Sequence, residues 1–224
     1  MVATSPAHGY AAVLWDMDGT LVETEPYWIE AEFALAEKYG FTWSQHHAHQ
    51  LVGSDLLHSA HYIREHTGLD LAPEAIVEEL LDAVTERVRD TVPWRPGALE
   101  LLAGLVAAEV PCALVTMSYR SFADPILAAL PVGTFAAVVT GDSVDQGKPH
   151  PEPYLTAAAL LGVDPAQCLA IEDSNIGARS AEAAGCTVLV VPNHVPVLEG
   201  ARRVFSESLT HHDTSTLHQL SITF

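Results

Sequence analysis

Five short apolar runs, rich in branched residues and each ending where polar residues begin, leave this chain few ways to fold. They occupy residues 11–15, 111–115, 136–139, 168–171 and 187–191. Runs of four or five such residues have the length of a strand and no polar face, so both of their sides must be covered. The longer stretches between them carry the helical periodicity that supplies the cover. This alternation predicts an α/β fold: a doubly wound parallel sheet with helices on both faces.

Between the first and second runs, residues 25–91 are far too long for a simple crossover and hold three or four helical patterns of their own. They read as an inserted, all-helical cap. The expected division is a core of residues 1–24 and 93–224 with a cap of residues 25–92. Hinges are expected at residues 22–26 and 92–96, where Pro26, Pro93 and Pro96 interrupt helical continuity.

In a parallel sheet, loops at the C-terminal strand ends converge on helix N-termini that favour anions, so chemistry collects there. The polar residues following the runs are therefore the ones to weigh: Asp16, Thr116, Gly141 with Asp142, and Glu172 with Asp173. Asp16 and Asp18, separated by Met17 and followed by Gly19 and Thr20, reach one pocket once the chain turns at the glycine. An Asp-Gly turn alone is a common motif. Glu172 and Asp173, however, close another apolar run and precede Ser174 and Asn175, which are placed to cap a helix running to Ala184. Four carboxylates from two strand ends repel one another until their pKa values rise or a cation sits among them, and oxygen ligands of this kind suit Mg2+.

Lysine is scarce here: the chain has two, Lys38 and Lys148. Lys148 lies in the stiff segment Gly147, Lys148, Pro149, His150, Pro151, where an ammonium among carboxylates can bind phosphate and restrain a nucleophilic aspartate. Thr116 and Ser118, beyond the second run, carry hydroxyls suited either to a phosphoryl oxygen or to capping the next helix.

The formal net charge of -19 repels nucleic acid and anionic membrane surfaces. It also repels an anionic substrate, so a phosphate site needs strong local positive charge, and a divalent cation is the obvious source. Cys112, Cys168 and Cys186 each lie in or beside an apolar run and read as buried thiols. The N-terminus has no basic patch followed by a long apolar stretch, and no run approaches membrane-spanning length, which gives a cytoplasmic expectation.

In this order, the pieces resemble the haloacid dehalogenase superfamily, most closely its β-phosphoglucomutase-like phosphatase branch with a helical cap. The matching segments are residues 16–26, Thr116, residues 147–152, and residues 171–177 leading to 183–185. The resemblance implies Asp16 as nucleophile and Asp18 as acid/base and backbone-carbonyl metal ligand. It further implies Thr116 and Lys148 as phosphoryl binders, and Asp173 with Glu172 as metal carboxylates, the metal being Mg2+ bound by Asp16, Asp18, Glu172 and Asp173. The expected reaction is hydrolysis of a small phosphomonoester, of a sugar or polyol, by a monomer or weak homo-oligomer.

A dehalogenase has no need of Asp18, and a phosphonate-cleaving enzyme needs a cap lysine. The cap's Lys38 is followed by Tyr39 and Gly40 and reads as a helix C-terminus. A sugar-phosphate mutase shares the core residues, but Trp28 stands where the mutase has an acid/base histidine, and the loop from Val52 to Asp55 lacks its phosphate-binding arginine. A non-enzymatic binding protein on the same fold is the remaining alternative. Substrate contacts are expected from Trp28, Gly53, Ser54, Asp55, Thr116, Ser118 and Lys148, with Tyr27 and His58 as further cap candidates. The cap histidines, His46, His47, His49, His58 and His61, read as solvated rather than as a transition-metal site.

Overall fold

The computed structural model describes residues 9–52, 54–217 and 219–220. All five apolar runs are strands: β1 (Ala12–Trp15), β2 (Cys112–Val115), β3 (Ala137–Val139), β4 (Cys168–Glu172) and β5 (Thr187–Val190). A sixth, β6 (Arg203–Phe205), was not foreseen. It is a three-residue, half-exposed edge strand beginning with arginine, and such a segment carries no apolar run to read. The strands are all parallel, in the order β3-β2-β1-β4-β5-β6.

Residues of each strand alternate between two apolar clusters. Val13 and Trp15 of β1 join Leu114, Leu169 and Ile171 on one face, while Ala12 and Leu14 join Val115, Ala170 and Val188 on the other. On the first face pack α5 (Ala98–Ala107) and α6 (Arg120–Ala128), through Leu101, Leu105, Phe122 and Ile126. On the second face pack α7 (Glu152–Leu161) and α8 (Asn175–Ala184), through Tyr154, Ala157, Ala178 and Ala181. The doubly wound parallel sheet is thus present, with β1 in the middle and its C-terminal end aimed at the loops that carry the acidic residues.

The cap consists of four helices: α1 (Glu25–Tyr39), α2 (Gln45–Leu51), α3 (Leu56–Thr67) and α4 (Pro73–Asp90). Helix α4 packs on α1 and α3 through a stripe of Ile76, Leu80, Val84 and Val88, leaving its acidic side in solvent. It also packs against α6, so one apolar cluster runs from cap to core. The two segments expected as hinges lie side by side: Glu23 N–H donates to Pro93 O at 2.6 Å and Arg95 N–H to Leu21 O at 3.0 Å. Pro26 does not break a helix, contrary to the expectation. It lies in the first turn of α1, where a missing N–H costs nothing and the fixed φ favours helix entry. Gly40, with φ 74°, ends α1 directly after Lys38 and Tyr39, as read. None of the helices among the described residues is long and apolar enough to cross a membrane.

Candidate active site

Strand β1 delivers Asp16, and β4 delivers Glu172 and Asp173, because β1 and β4 are neighbours in parallel register with Trp15 opposite Ile171. One oxygen from each of Asp16, Glu172 and Asp173 lies within 4.8 Å of the others. Two glycines permit this crowding. A Cβ on Gly19, whose φ is +83°, would stand 2.1 Å from Asp173 Oδ2, and a Cβ on Gly177 would stand 1.9 Å from Glu172 Oε1. Ser174 caps α8 by accepting from Gly177 N–H at 3.0 Å, which fixes the turn presenting the acidic pair.

Lys148 reaches the cluster from the loop before α7 and is 4% exposed. Its Nζ donates to Asp16 Oδ1 at 2.6 Å, Glu172 Oε1 at 2.7 Å and Val115 O at 2.9 Å, so all three ammonium protons are used. Burial alone would lower its pKa, but Asp16 and Glu172 reverse the sign and push it above the ordinary lysine value. The loop is held by Glu152, whose carboxylate accepts from Asp145 N–H and Gln146 N–H, and by Lys148 N–H donating to Met117 Sδ at 3.0 Å.

Glu172 has both oxygens engaged: Oε1 accepts from Lys148 and from Tyr154 Oη at 2.6 Å, and Oε2 from Ser174 Oγ at 3.2 Å. Its geometry is that of an anchor for Lys148. Asp16 differs, since Oδ1 is taken by Lys148 while Oδ2 is buried without a partner among the described residues. Burial first, then the Glu172 charge, raise its pKa to about 7; burial and then the Asp16 and Glu172 charges raise Asp173 well above the carboxylate range. An orphaned buried oxygen beside mutually repelling carboxylates is what a divalent, oxygen-seeking cation relieves, so the residues present fit such an ion.

Asp18 turns the other way and accepts four hydrogen bonds. Oδ1 receives Thr24 Oγ and Trp28 Nε1–H, the latter at 3.1 Å; Oδ2 receives Thr116 Oγ at 3.2 Å and Ser118 Oγ at 2.8 Å. Thr116 also accepts from Ser118 N–H at 3.0 Å, which closes the turn before α6; neither hydroxyl caps that helix, whose N-cap is Tyr119 with no side-chain cap, so the capping expectation fails and the pocket hydrogen bonds remain. The Trp28 ring meets Phe122 edge-on at 5.2 Å.

One pocket brings Asp16, Asp18, Trp28, Ser54, Thr116, Ser118, Lys148 and Asp173 together. Asp55 is not in its lining: it is the N-cap of α3, its Oδ1 accepting from His58 N–H at 2.8 Å, and it packs beside Gly147. Gly53 lies outside the described residues. Asp142 accepts from Arg120 N–H at the start of α6, away from the pocket. The cap histidines form no cluster of three metal-ligating groups among the described residues. His47 and His66 instead pack with Trp43 and Tyr62 as aromatic neighbours.

Among the pocket residues to which the sequence reading gave no role are two buried acids, Glu25 and Glu32. Their signal was present: Glu25, Trp28 and Glu32 fall at i, i+3 and i+7, one face of α1, so an acid occupied a position of the buried stripe.

A fructose-1-phosphate phosphatase of Escherichia coli (strain K12) is 34% identical over 180 residues, covering 79% of this chain and 93% of that protein. Hexitol phosphatase B of the same organism is 30% identical over 185 residues, covering 81% and 83%. Among solved structures, CbbY from Rhodobacter sphaeroides in complex with phosphate superposes with a TM-score of 0.81 at 25% identity, covering 90% of this chain and 95% of that one. The family model described as haloacid dehalogenase-like hydrolase matches residues 13–191. A match spanning sheet, cap and both acidic strand ends makes this chain a member of the haloacid dehalogenase-like hydrolase family.

Proposed function

We propose that the protein is a Mg2+-dependent phosphatase that hydrolyses a small phosphomonoester, of a sugar or polyol, through a phosphoryl group carried on Asp16. The observation that carries this reading is the asymmetry of Asp16. One oxygen is locked to Lys148 at 2.6 Å and the other is buried and unpartnered among the described residues. A carboxylate restrained in this way presents a fixed lone pair to an electrophile, which is how a nucleophile gains effective concentration.

In the proposed reaction Asp16 attacks phosphorus, the P–O bond to the leaving alcohol breaks, and Asp18 gives its proton to the departing alkoxide oxygen. Asp18 then takes a proton from water as that water attacks the aspartyl phosphate, returning Asp16 and releasing inorganic phosphate. Thr24 and Trp28 hold Oδ1 of Asp18 for both transfers, and the Thr116 and Ser118 hydroxyls can rotate to free Oδ2 for the proton. Lys148 carries positive charge to the phosphoryl oxygens while Glu172 and Tyr154 fix its position. Mg2+ would be held by the carboxylates of Asp16 and Asp173 with the Asp18 backbone carbonyl, Glu172 standing beside them, and it would supply charge neutralisation for the phosphoryl group. Residues 1–24 and 93–224 would act as the catalytic core and 25–92 as the cap that selects the leaving group, with Ser54 and Trp28 among its contacts.

Hydrolysis is favoured over mutase chemistry by Trp28, whose indole N–H donates to Asp18 and, unlike a histidine, cannot relay a proton. The test is phosphate release from a panel of phosphomonoesters with Mg2+. Asp16→Asn is expected to abolish release while keeping the melting temperature, and chelation is expected to abolish it reversibly. Substantial turnover in Asp16→Asn would rule out the covalent route. Conversion of a hexose 1-phosphate to its 6-phosphate isomer in place of free phosphate would establish the mutase.

A further inference from the structure

The pocket is built from two unlike walls. The core wall carries the strand-end residues; the cap wall is formed by Trp28 and Glu32 of α1, Leu51 of α2, Ser54 and Ser59 beside and within α3, and Leu80 of α4. Glu32 is 6% exposed, and its Oε2 accepts from Trp43 Nε1–H at 2.9 Å. Trp43 is itself buried, so this bond fixes the carboxylate from behind. No second hydrogen bond to Glu32 is formed among the described residues. Glu25, also 6% exposed and lining the same pocket, forms no side-chain hydrogen bond among the described residues.

Buried carboxylates of this kind are normally paired, because an unsatisfied one forfeits its hydration. Neither has a cation beside it among the described residues: Lys148 is the one basic residue in the pocket lining, and its three protons are already committed. The cap wall therefore offers hydrogen-bond acceptors and negative charge, and no positive charge.

Resting on the phosphatase reading above, we infer that Glu32 is the specificity-determining residue of the cap: its free carboxylate oxygen receives a hydrogen bond from a hydroxyl of the leaving alcohol, and its charge excludes alcohols bearing a second phosphate or a carboxylate. Ser54 and Ser59 extend the polar strip on the same wall, and Trp28 and Leu51 cover the carbon skeleton. The retention of an ionisable group where burial opposes its charge, with its pKa raised to about 7, fits a group kept for a ligand.

Glutamine is the informative replacement, since the amide keeps an oxygen for Trp43 and loses the charge and the second acceptor. The measurement is kcat/KM for a polyol monophosphate, for the matched ester lacking the distal hydroxyls, and for the corresponding bisphosphate. The wild type should prefer the polyol ester to its deoxy counterpart, and Glu32→Gln should shrink that preference by about tenfold to a hundredfold, the worth of a hydrogen bond to a charged acceptor. The discrimination against the bisphosphate should relax in the same variant. An amino-alcohol phosphate in the panel tells a hydroxyl donor from an ammonium donor: preference for the polyol ester supports the inference, and preference for the amine overturns it. Glu30→Gln, an exposed acid on the same helix, controls for net charge and should leave both ratios where they were. If the wild type hydrolyses esters but Glu32→Gln keeps both ratios, or loses all substrates equally with a lowered melting temperature, the inference is overturned and the phosphatase reading stands. If the wild type releases phosphate from no ester, both fall.

Discussion

The core floor and the cap wall of this pocket each bury carboxylates, and they satisfy them to different degrees. On the floor, Glu172 is satisfied by Lys148, Tyr154 and Ser174, and Asp18 by four donors drawn from core and cap. On the wall, among the described residues, Glu25 has no hydrogen-bond partner and Glu32 has one. The difference separates positions where the protein completes its own electrostatics from positions it leaves for something else to complete. Asp16, with one oxygen locked and one orphaned, belongs to both kinds, and Asp173, buried on the floor with no side-chain hydrogen bond among the described residues, belongs with the second.

The largest break in this contrast comes from Lys148. Replacing it by methionine keeps the volume and strands Asp16 and Glu172 without their counter-charge, so unfolding in denaturant should show a loss of about 3–5 kcal/mol and phosphate release should vanish. A variant as stable as the wild type would mean that the floor is not electrostatically self-contained. Trp28→Phe is a smaller perturbation, since the ring contact with Phe122 can persist while the N–H donor to Asp18 is lost. Its kcat should fall by about tenfold, with KM nearly unchanged, because an aromatic ring that can cover the substrate is kept while the N–H that positions the acid is lost. A raised KM with kcat unchanged would instead show that the indole N–H serves substrate binding alone.

The third effect, and the one that sharpens the comparison most, is on stability. Burial raises Glu32 from 4.5 to about 7, with the Trp43 hydrogen bond opposing it. Below pH 4.5 both folded and unfolded chains hold the proton and the site carries no penalty. Between 4.5 and about 7 the unfolded chain ionises first, and stability falls. At higher pH the full cost remains, up to about 3 kcal/mol. Glu32→Gln should therefore raise the melting temperature at about pH 8 and leave it unchanged at about pH 4. A drop under the alkaline condition would show that the carboxylate stabilises the cap, against the reading of it as a group held open for a ligand.

How much of this was legible depends on the kind of residue. Asp16, Asp18, Lys148 and Asp173 could be read because each follows an apolar run or sits in a stiff, glycine- and proline-bracketed segment, and parallel pairing then leaves them one place to meet. Asp55 could not be placed, because a lone acid before a helix is equally a ligand and an N-cap; folding made it the cap of α3. β6 was invisible because three half-exposed residues at a sheet edge need no apolar pattern.

The order of apolar runs and acidic turns by itself determined the parallel sheet, the place of the insertion and the acidic strand ends, since period and length dictate burial and burial dictates which ends converge. Only the tertiary structure decided which carboxylates are partnered. That depends on side chains brought together by folding, as Lys148 meets Asp16 across 132 residues of sequence and Trp43 meets Glu32 across the end of α1. Hydrogen bonding and desolvation act at a few ångströms, a distance that spacing along a chain does not encode.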